Sequence, residues 1–329
     1  MTSGNMRRKL NSALLFRIGG LGDLLVTLPS IQYVRKKYPS CFLTLVCRKE
    51  YGSILKETGV VDEIVSVDQS RISKLFLDPP SPDSELTQWM SGFDLILGWM
   101  QKGQSLRLKE FYRSDLQKKY GIIVHDSKCN NSISRFFFKR TVDFLVRDGY
   151  PNPEFNEYVF LPISDELKKE GQNLLDKSDQ KSTAKFIVIH PGSGSKDKCW
   201  PLYNFMEIIK RSSLEDLKGI LVTGLAEESM IDKLENTQLP TGWNWLANPS
   251  LTKLAGLISS SILYLGNDSG VTHLAASCGT KVVALFHKDM EVLWKPNGHA
   301  TSISGSSLSQ IRLDLVWQAI SGTIQEVNP

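Results

Sequence analysis

The chain has 329 residues, 41% of them hydrophobic, which is longer than a typical single domain and apolar enough for two cores of ordinary size. A net charge of +4 is too mild for a nucleic-acid binder, yet it is uneven: residues 1–163 hold 23 Lys and Arg against 17 Asp and Glu, and the remainder 16 against 18. An anionic partner, either an acidic glycan or a membrane surface, is therefore expected at the first half.

Cys41, Cys47, Cys129, Cys199 and Cys278 are odd in number and lack CxxC spacing. That pattern argues for free thiols in a reducing compartment and against a zinc site. No apolar run approaches membrane-spanning length. Arg17 and the glycines after it interrupt the N-terminal apolar run too early for a signal peptide, so a cytoplasmic location is expected.

Residues 13–18 (ALLFRI) read as a first strand. Gly19, Gly20 and Gly22 then form a turn that brings backbone close to a neighbour or ligand. Asp23 enters a helix with Leu24, Leu25, Leu28, Ile31 and Val34 at its apolar positions. GGLGD lacks the GxGxxG spacing of dinucleotide sites. It leaves a carboxylate at the C-terminal edge of the first strand, where open α/β sheets bind ligands. Taken alone, Asp23 reads first as a helix-start residue favoured by the dipole.

Further strands are expected at 42–46, 63–67 and 93–97, with a helix at about 51–58. Pro79, Pro80 and Pro82 make 77–86 a loop. Residues 102–147 carry scattered bases, read mostly as solvated surface. DGYPNPEFNEYVFLP reads as a linker, which gives domains at 1–163 and 164–329.

The second half opens with a polar helix at 164–178 and a strand at 185–190 (KFIVIH). The loop PGSGSKDKCWP offers flexible donors and the charges of Lys196 and Lys198, and a helix starts after Trp200-Pro201. A strand at 220–223 leads into GLAEES, where Glu227 and Glu228 either accept from ribose hydroxyls or simply suit a helix's first turn. A small helix is expected at 254–261. The stretch 262–289 (ILYLGNDSGVTHLAASCGTKVVALFHKD) reads as a strand, a tight loop, a short helix at about 270–277 and a strand at 281–286. GNDSG feeds a helix N-terminus, where free N–H groups and the dipole favour an anion, and Ser269, Thr272 and His273 add donors. A plain turn capped by Asp268 or Ser269 accounts for it equally well when read alone. A last helix at about 307–321 is a candidate to pack back on the first domain. The repeated βαβα pattern argues for an α/β protein of two Rossmann-like parallel-sheet domains facing across a cleft.

GGLGDLLVTLPSI, HPGSGSKDKCWPLYNF and GNDSGVTHLAASCGTKVVALF, in this order and spacing, resemble the bacterial heptosyltransferases of lipopolysaccharide core synthesis, glycosyltransferase family 9. The resemblance implies the GT-B architecture, with the acceptor on the first domain and a nucleotide-sugar, ADP-heptose, on the second. It implies inverting transfer with no metal and no cofactor; the sequence holds no D-x-D motif. It makes Asp23 the catalytic base and sets Lys198 against the diphosphate, with Ser193 and Ser195 in the same loop. Asp268 would hold sugar hydroxyls, Ser269, Gly270, Thr272 and His273 would line the phosphates, and Glu227 or Glu228 would meet the ribose. Gly22, Arg48, Lys102, Arg107 and Lys109 are candidates for an acidic glycan or lipid-linked acceptor, at the cytoplasmic face of the inner membrane. The family commonly continues its last strand into F-G-P-T, whereas here His287-Lys288-Asp289 follows Phe286. The competing readings are a non-catalytic relative that binds a nucleotide or partner protein, and an enzyme of the UDP-GlcNAc 2-epimerase type, which GGLGDLLVTLP and KCWP fit poorly.

Overall fold

A computed structural model describes residues 10–76, 84–101, 119–125, 131–146, 153–175, 185–224, 227 and 237–327. The chain divides into two compact units. The first comprises Met1–Gly19, Thr27–Cys129 and Ser134–Phe155, and the second Gly20–Val26, Asn130–Ile133 and Asn156–Pro329.

In the first unit the strands are β1 (Ser12–Phe16), β2 (Phe42–Cys47), β3 (Glu63–Ser66), β4 (Leu95–Gln101) and β5 (Lys119–His125). They pair in parallel in the order β3-β2-β1-β4-β5. Ala13, Leu14, Leu15 and Phe16 are all buried, the unbroken apolar run of a strand covered on both faces. After β1 come two helices, α1 (Leu21–Leu25) and α2 (Leu28–Lys37), where the sequence suggested one. Pro29, which has no N–H to donate, sits at the start of α2 and separates them. Next are α3 (Lys49–Glu57), α4 (Ser70–Ser73), α5 (Ser84–Ser91) and α6 (Ile133–Val146). Strand β5 and helix α6 fall in the region read as basic surface. The stripe Phe137, Phe138, Val142 and Leu145 is buried while Arg135, Lys139 and Arg140 stay exposed, so the charges concealed an amphipathic helix. On that helix Thr141 Oγ1 accepts from Trp99 Nε1 at 2.8 Å and donates to Phe137 O at 2.7 Å.

The second unit has α7 (Asp165–Gln172), β6 (Phe186–His190), α8 (Leu202–Leu214), β7 (Lys218–Thr223), β8 (Trp243–Ala247), α9 (Leu251–Ser259), β9 (Leu263–Asn267), α10 (Gly270–Ser277), β10 (Val282–His287), α11 (Lys288–Trp294), β11 (Ala300–Gly305) and α12 (Leu313–Val327). Its six strands are parallel in the order β11-β10-β9-β6-β7-β8. The edge strands β8 (WNWLA) and β11 (ATSISG) were not anticipated, because neither is a continuous apolar run. Helices α7 and α9 cross at Gly171 and Gly256, where an added Cβ would lie 2.1 Å from Leu257 N or 1.9 Å from Leu167 O. The C-terminal helix α12 lies on this sheet: its Val316 and Ile320 share a core with Trp200, Phe205 and Leu265. Residues 156–163 also belong here, held by Leu161 N–H donating to Ser277 O at 2.7 Å and by Phe160 stacked on His299. The units therefore part at 155/156, where the sequence suggested 163/164. No helix among the described residues is long and apolar enough to cross a membrane.

Candidate active site

The site is built where β6 and β9 end side by side in the middle of the second sheet. Asn267, the last residue of β9, is fully buried. Its Nδ2 donates to Pro191 O at 2.7 Å and its Oδ1 accepts from Trp200 N–H at 3.0 Å. One carboxamide thus pins both ends of the loop that follows β6. Two more bonds tie the same loop to the residue after Asn267. Ser193 Oγ donates to Asp268 O at 2.7 Å, and Lys198 Nζ lies 2.8 Å from Asp268 Oδ2. Lys198 remains 43% exposed while Asp268 is only 8% exposed, so the pair presents its cationic side outward. Ser195 is exposed and precedes the single 3-10 turn Lys196–Lys198, whose Lys198 N–H donates to Ser195 O.

Helix α10 starts at Ser269, whose Oγ accepts from Thr272 N–H at 3.3 Å. Thr272 is fully buried, and its hydroxyl donates to Asn267 O and lies 3.2 Å from Tyr264 OH. The Thr272 side chain, expected to line phosphates, instead holds the turn from inside. Gly270 lies against α1. A Cβ there would be 2.8 Å from Leu21 Cβ and 3.0 Å from Gly22 N, and one on Gly22 would be 3.2 Å from His273 Cδ2. Gly22, expected on the acceptor side, is thus a close-packing partner of α10.

The same contact brings Asp23 to this unit. Its Oδ2 accepts from Gly20 N–H at 3.0 Å, which fixes the carboxylate at the start of α1. His273 is 4% exposed, and burial pushes its pKa down to about 4, with Lys198 adding to the lowering and Asp268 and Asp23 opposing it. His273 is therefore neutral at neutral pH and offers hydrogen bonding, not charge. The positive potential comes from Lys198 and the α10 N-terminus. Trp294 of α11 stands edge-on to His273, with ring centroids 6.4 Å apart. The His287-Lys288-Asp289 departure is the cap of that helix: His287 Nδ1 accepts from Asp289 N–H at 3.3 Å.

Glu227 is 3% exposed. Its Oε2 accepts from Gly224 N–H at 2.6 Å and lies 3.5 Å from His190 Nε2. Burial alone would raise its pKa, but His190 and the Gly224 N–H outweigh this and hold it below the usual carboxylate value. Arg48 immediately precedes α3 in the first unit and is exposed. Lys102, Arg107, Lys109 and Glu228 lie outside the described residues. Among the described residues no three His, Cys, Asp or Glu side chains are grouped to hold a metal. The sequence reading gave no role to Asn267, His190, Tyr264 or Trp294. The first two had a usable signal, a polar residue closing an otherwise apolar strand.

With this geometry in hand, comparison with known proteins is specific. A family model described as glycosyltransferase family 9 (heptosyltransferase) matches residues 113–314, more than half of the chain. The chain belongs to glycosyltransferase family 9. It is 21% identical over 287 residues to lipopolysaccharide heptosyltransferase 3 of Escherichia coli K12, covering 84% of this chain and 82% of that one. Among solved structures, E. coli ADP-heptose lps heptosyltransferase II superposes with a TM-score of 0.74 at 18% identity, over 97% of this chain and 100% of that one. E. coli heptosyltransferase WaaC with ADP gives a TM-score of 0.68 at 16% identity, over 95% and 99%. The two parallel sheets are thus those of the GT-B fold, and this family 9 protein is a glycosyltransferase.

Proposed function

We propose that this family 9 enzyme transfers a heptose from an ADP-sugar to a lipopolysaccharide-core or similar acidic glycan, with inversion and without a metal, Asp23 serving as general base. One observation carries the reading: α1, whose Asp23 is fixed by the Gly20 N–H, packs through Gly22 against Gly270 and His273 at the start of α10, where Lys198 Nζ stands 2.8 Å from Asp268 Oδ2. The names of the similar E. coli proteins supply the sugar and the nucleotide. In the reaction Asp23 takes the proton of the acceptor hydroxyl as its oxygen bonds to the anomeric carbon. The bond from that carbon to the diphosphate oxygen breaks, and Lys198 with the α10 N-terminus receives the departing negative charge. Lys198 here fills the electrostatic role a divalent ion takes in other transferases. The basic first half of the chain suits an acidic acceptor presented at the cytoplasmic face of a membrane.

Asp23→Asn keeps an acceptor for the Gly20 N–H but removes the base. It is expected to lower kcat on the order of 10²–10⁴-fold with ADP affinity unchanged, and near-wild-type turnover would remove Asp23 from the mechanism. Lys198→Ala is expected to weaken ADP binding by about tenfold or more in calorimetry, as for loss of a charge-assisted contact; an unchanged Kd refutes its role. A thermal-shift series with ADP, UDP and GDP tests the base: stabilisation by UDP or GDP in preference to ADP would exclude an ADP-sugar.

A further inference from the structure

The loop after β6 carries Ser193 and Lys198, both bonded to Asp268, and beneath it lies a charge that no step of the transfer uses. His190 ends β6, and Glu227 follows the end of β7. Both side chains are 4% exposed, and His190 Nε2 stands 3.5 Å from Glu227 Oε2. His190 Nδ1 has no partner among the described residues, so the polar contact of this ring is with Glu227. The carboxylate fits only because position 192 is glycine: a Cβ there would lie 1.9 Å from Glu227 Oε1. Burial raises the pKa of both Tyr264, which contacts Thr272, and Cys199, the residue next to Lys198, and the Glu227 charge adds a smaller push to each.

We infer that His190 and Glu227 form a buried positioning pair that fixes the loop 191–198 in its binding form. A carboxylate at this depth is stable only with its lone pairs answered. Gly224 N–H and His190 answer those of Oε2 from the ends of β7 and β6, while Oε1 packs against Gly192. The pair therefore fastens two strand ends under one loop, and the loop in turn delivers Ser193 and Lys198 to Asp268. Neither residue of the pair touches the reacting atoms in this role. The inference rests on the proposed function only in naming the loop's ligand as a nucleoside diphosphate.

The test uses the full chain as wild type, His190→Gln, His190→Leu and Glu227→Gln, with two readouts. Hydrogen exchange of peptides spanning 191–199, measured without ligand, reports loop order, and calorimetry with ADP reports binding. Gln at 190 keeps a donor for Glu227, whereas Leu keeps only volume. Leu at 190 and Gln at 227 are expected to speed loop exchange and raise the ADP Kd by roughly tenfold each, the scale of a lost hydrogen bond to a charge. In transfer assays the same two raise donor KM and leave kcat within about threefold, the split expected of a positioning role. His190→Gln should restore both exchange and Kd to near wild type. Equal behaviour of the Gln and Leu variants at 190, or unchanged loop exchange in Glu227→Gln, overturns the pair. Should His190→Leu fail to fold, Glu227→Gln, which preserves size and the Gly224 bond, decides alone. A folded wild type that binds no ADP would overturn the proposed function instead, and the exchange series would still judge the pair.

Discussion

The two units share a plan, parallel strands with buried apolar centres, but they finish their central strands differently. In the first, β1 runs into Arg17, a 2%-exposed cation whose Nη1 donates to Trp99 O at 3.1 Å and whose guanidinium lies 5.0 Å above the Phe137 ring. Trp99 is in turn latched to Thr141. In the second, β9 and β6 run into Asn267, Asp268, His190 and Ser193, whose bonds cross from one loop to the next. The first arrangement fastens secondary structure to itself. The second fixes loop backbone in advance of any ligand, which is what electrostatic stabilisation of a leaving group requires. The sheet physics is common to both, and the chemistry lies in which side chains close the strands.

That contrast can be broken by removing one fastener from each unit. Asn267→Ala leaves the buried Trp200 N–H and Pro191 O both unanswered, at about 1–3 kcal/mol each, so a loss of roughly 2–6 kcal/mol is expected in urea unfolding. A loss below about 1 kcal/mol would show that the loops are held by something other than this carboxamide. Acid sharpens the same region. His273 has a folded pKa of about 4 against an ordinary value of 6.5. Above pH 6.5 it is neutral in both states and costs nothing. As pH falls from 6.5 to 4 the unfolded chain takes up a proton that the folded one refuses, so stability drops, by on the order of 3 kcal/mol in total. His273→Gln should flatten that part of the stability–pH curve; an unaltered slope would mean that His273 is not held neutral. The smallest effect belongs to the first unit. Thr141→Val orphans chiefly Trp99 Nε1, and about 1–2 kcal/mol is expected. If it exceeds the Asn267→Ala loss, the second unit is not the more tightly fastened one.

Much of this was legible in the sequence. The apolar runs of β1, β6, β9 and β10 named the interior strands, and the Gly-rich segments after β1 and β9 named the loops that meet at Gly22 and Gly270. What escaped has physical reasons. Strands β8 and β11 are sheet edges, where one side is unpaired and polar residues are tolerated, so no apolar run marks them. Helix α6 carries three exposed bases among its phenylalanines. At the site, donors named for a ligand were easier to find than their supports. Thr272 was read as lining phosphates and its hydroxyl faces Asn267 O, while His273, named with it as a donor, is neutral. Residue type indicates what a side chain is able to do, and only burial decides which way it points and whether it carries its charge.

The seven residues Gly20–Val26 have a consequence for how such a protein can be recombined. They sit in sequence between two stretches of the first unit yet belong by contact to the second, with Leu21 and Gly22 filling the space left by Gly270. The second unit is therefore not one continuous length of gene. A fragment 156–329, or a chimera that exchanges it for a relative's, would take the floor of the site from one parent and Asp23 from the other. A faithful exchange has to move Gly20–Val26 and Asn130–Ile133 together with Asn156–Pro329.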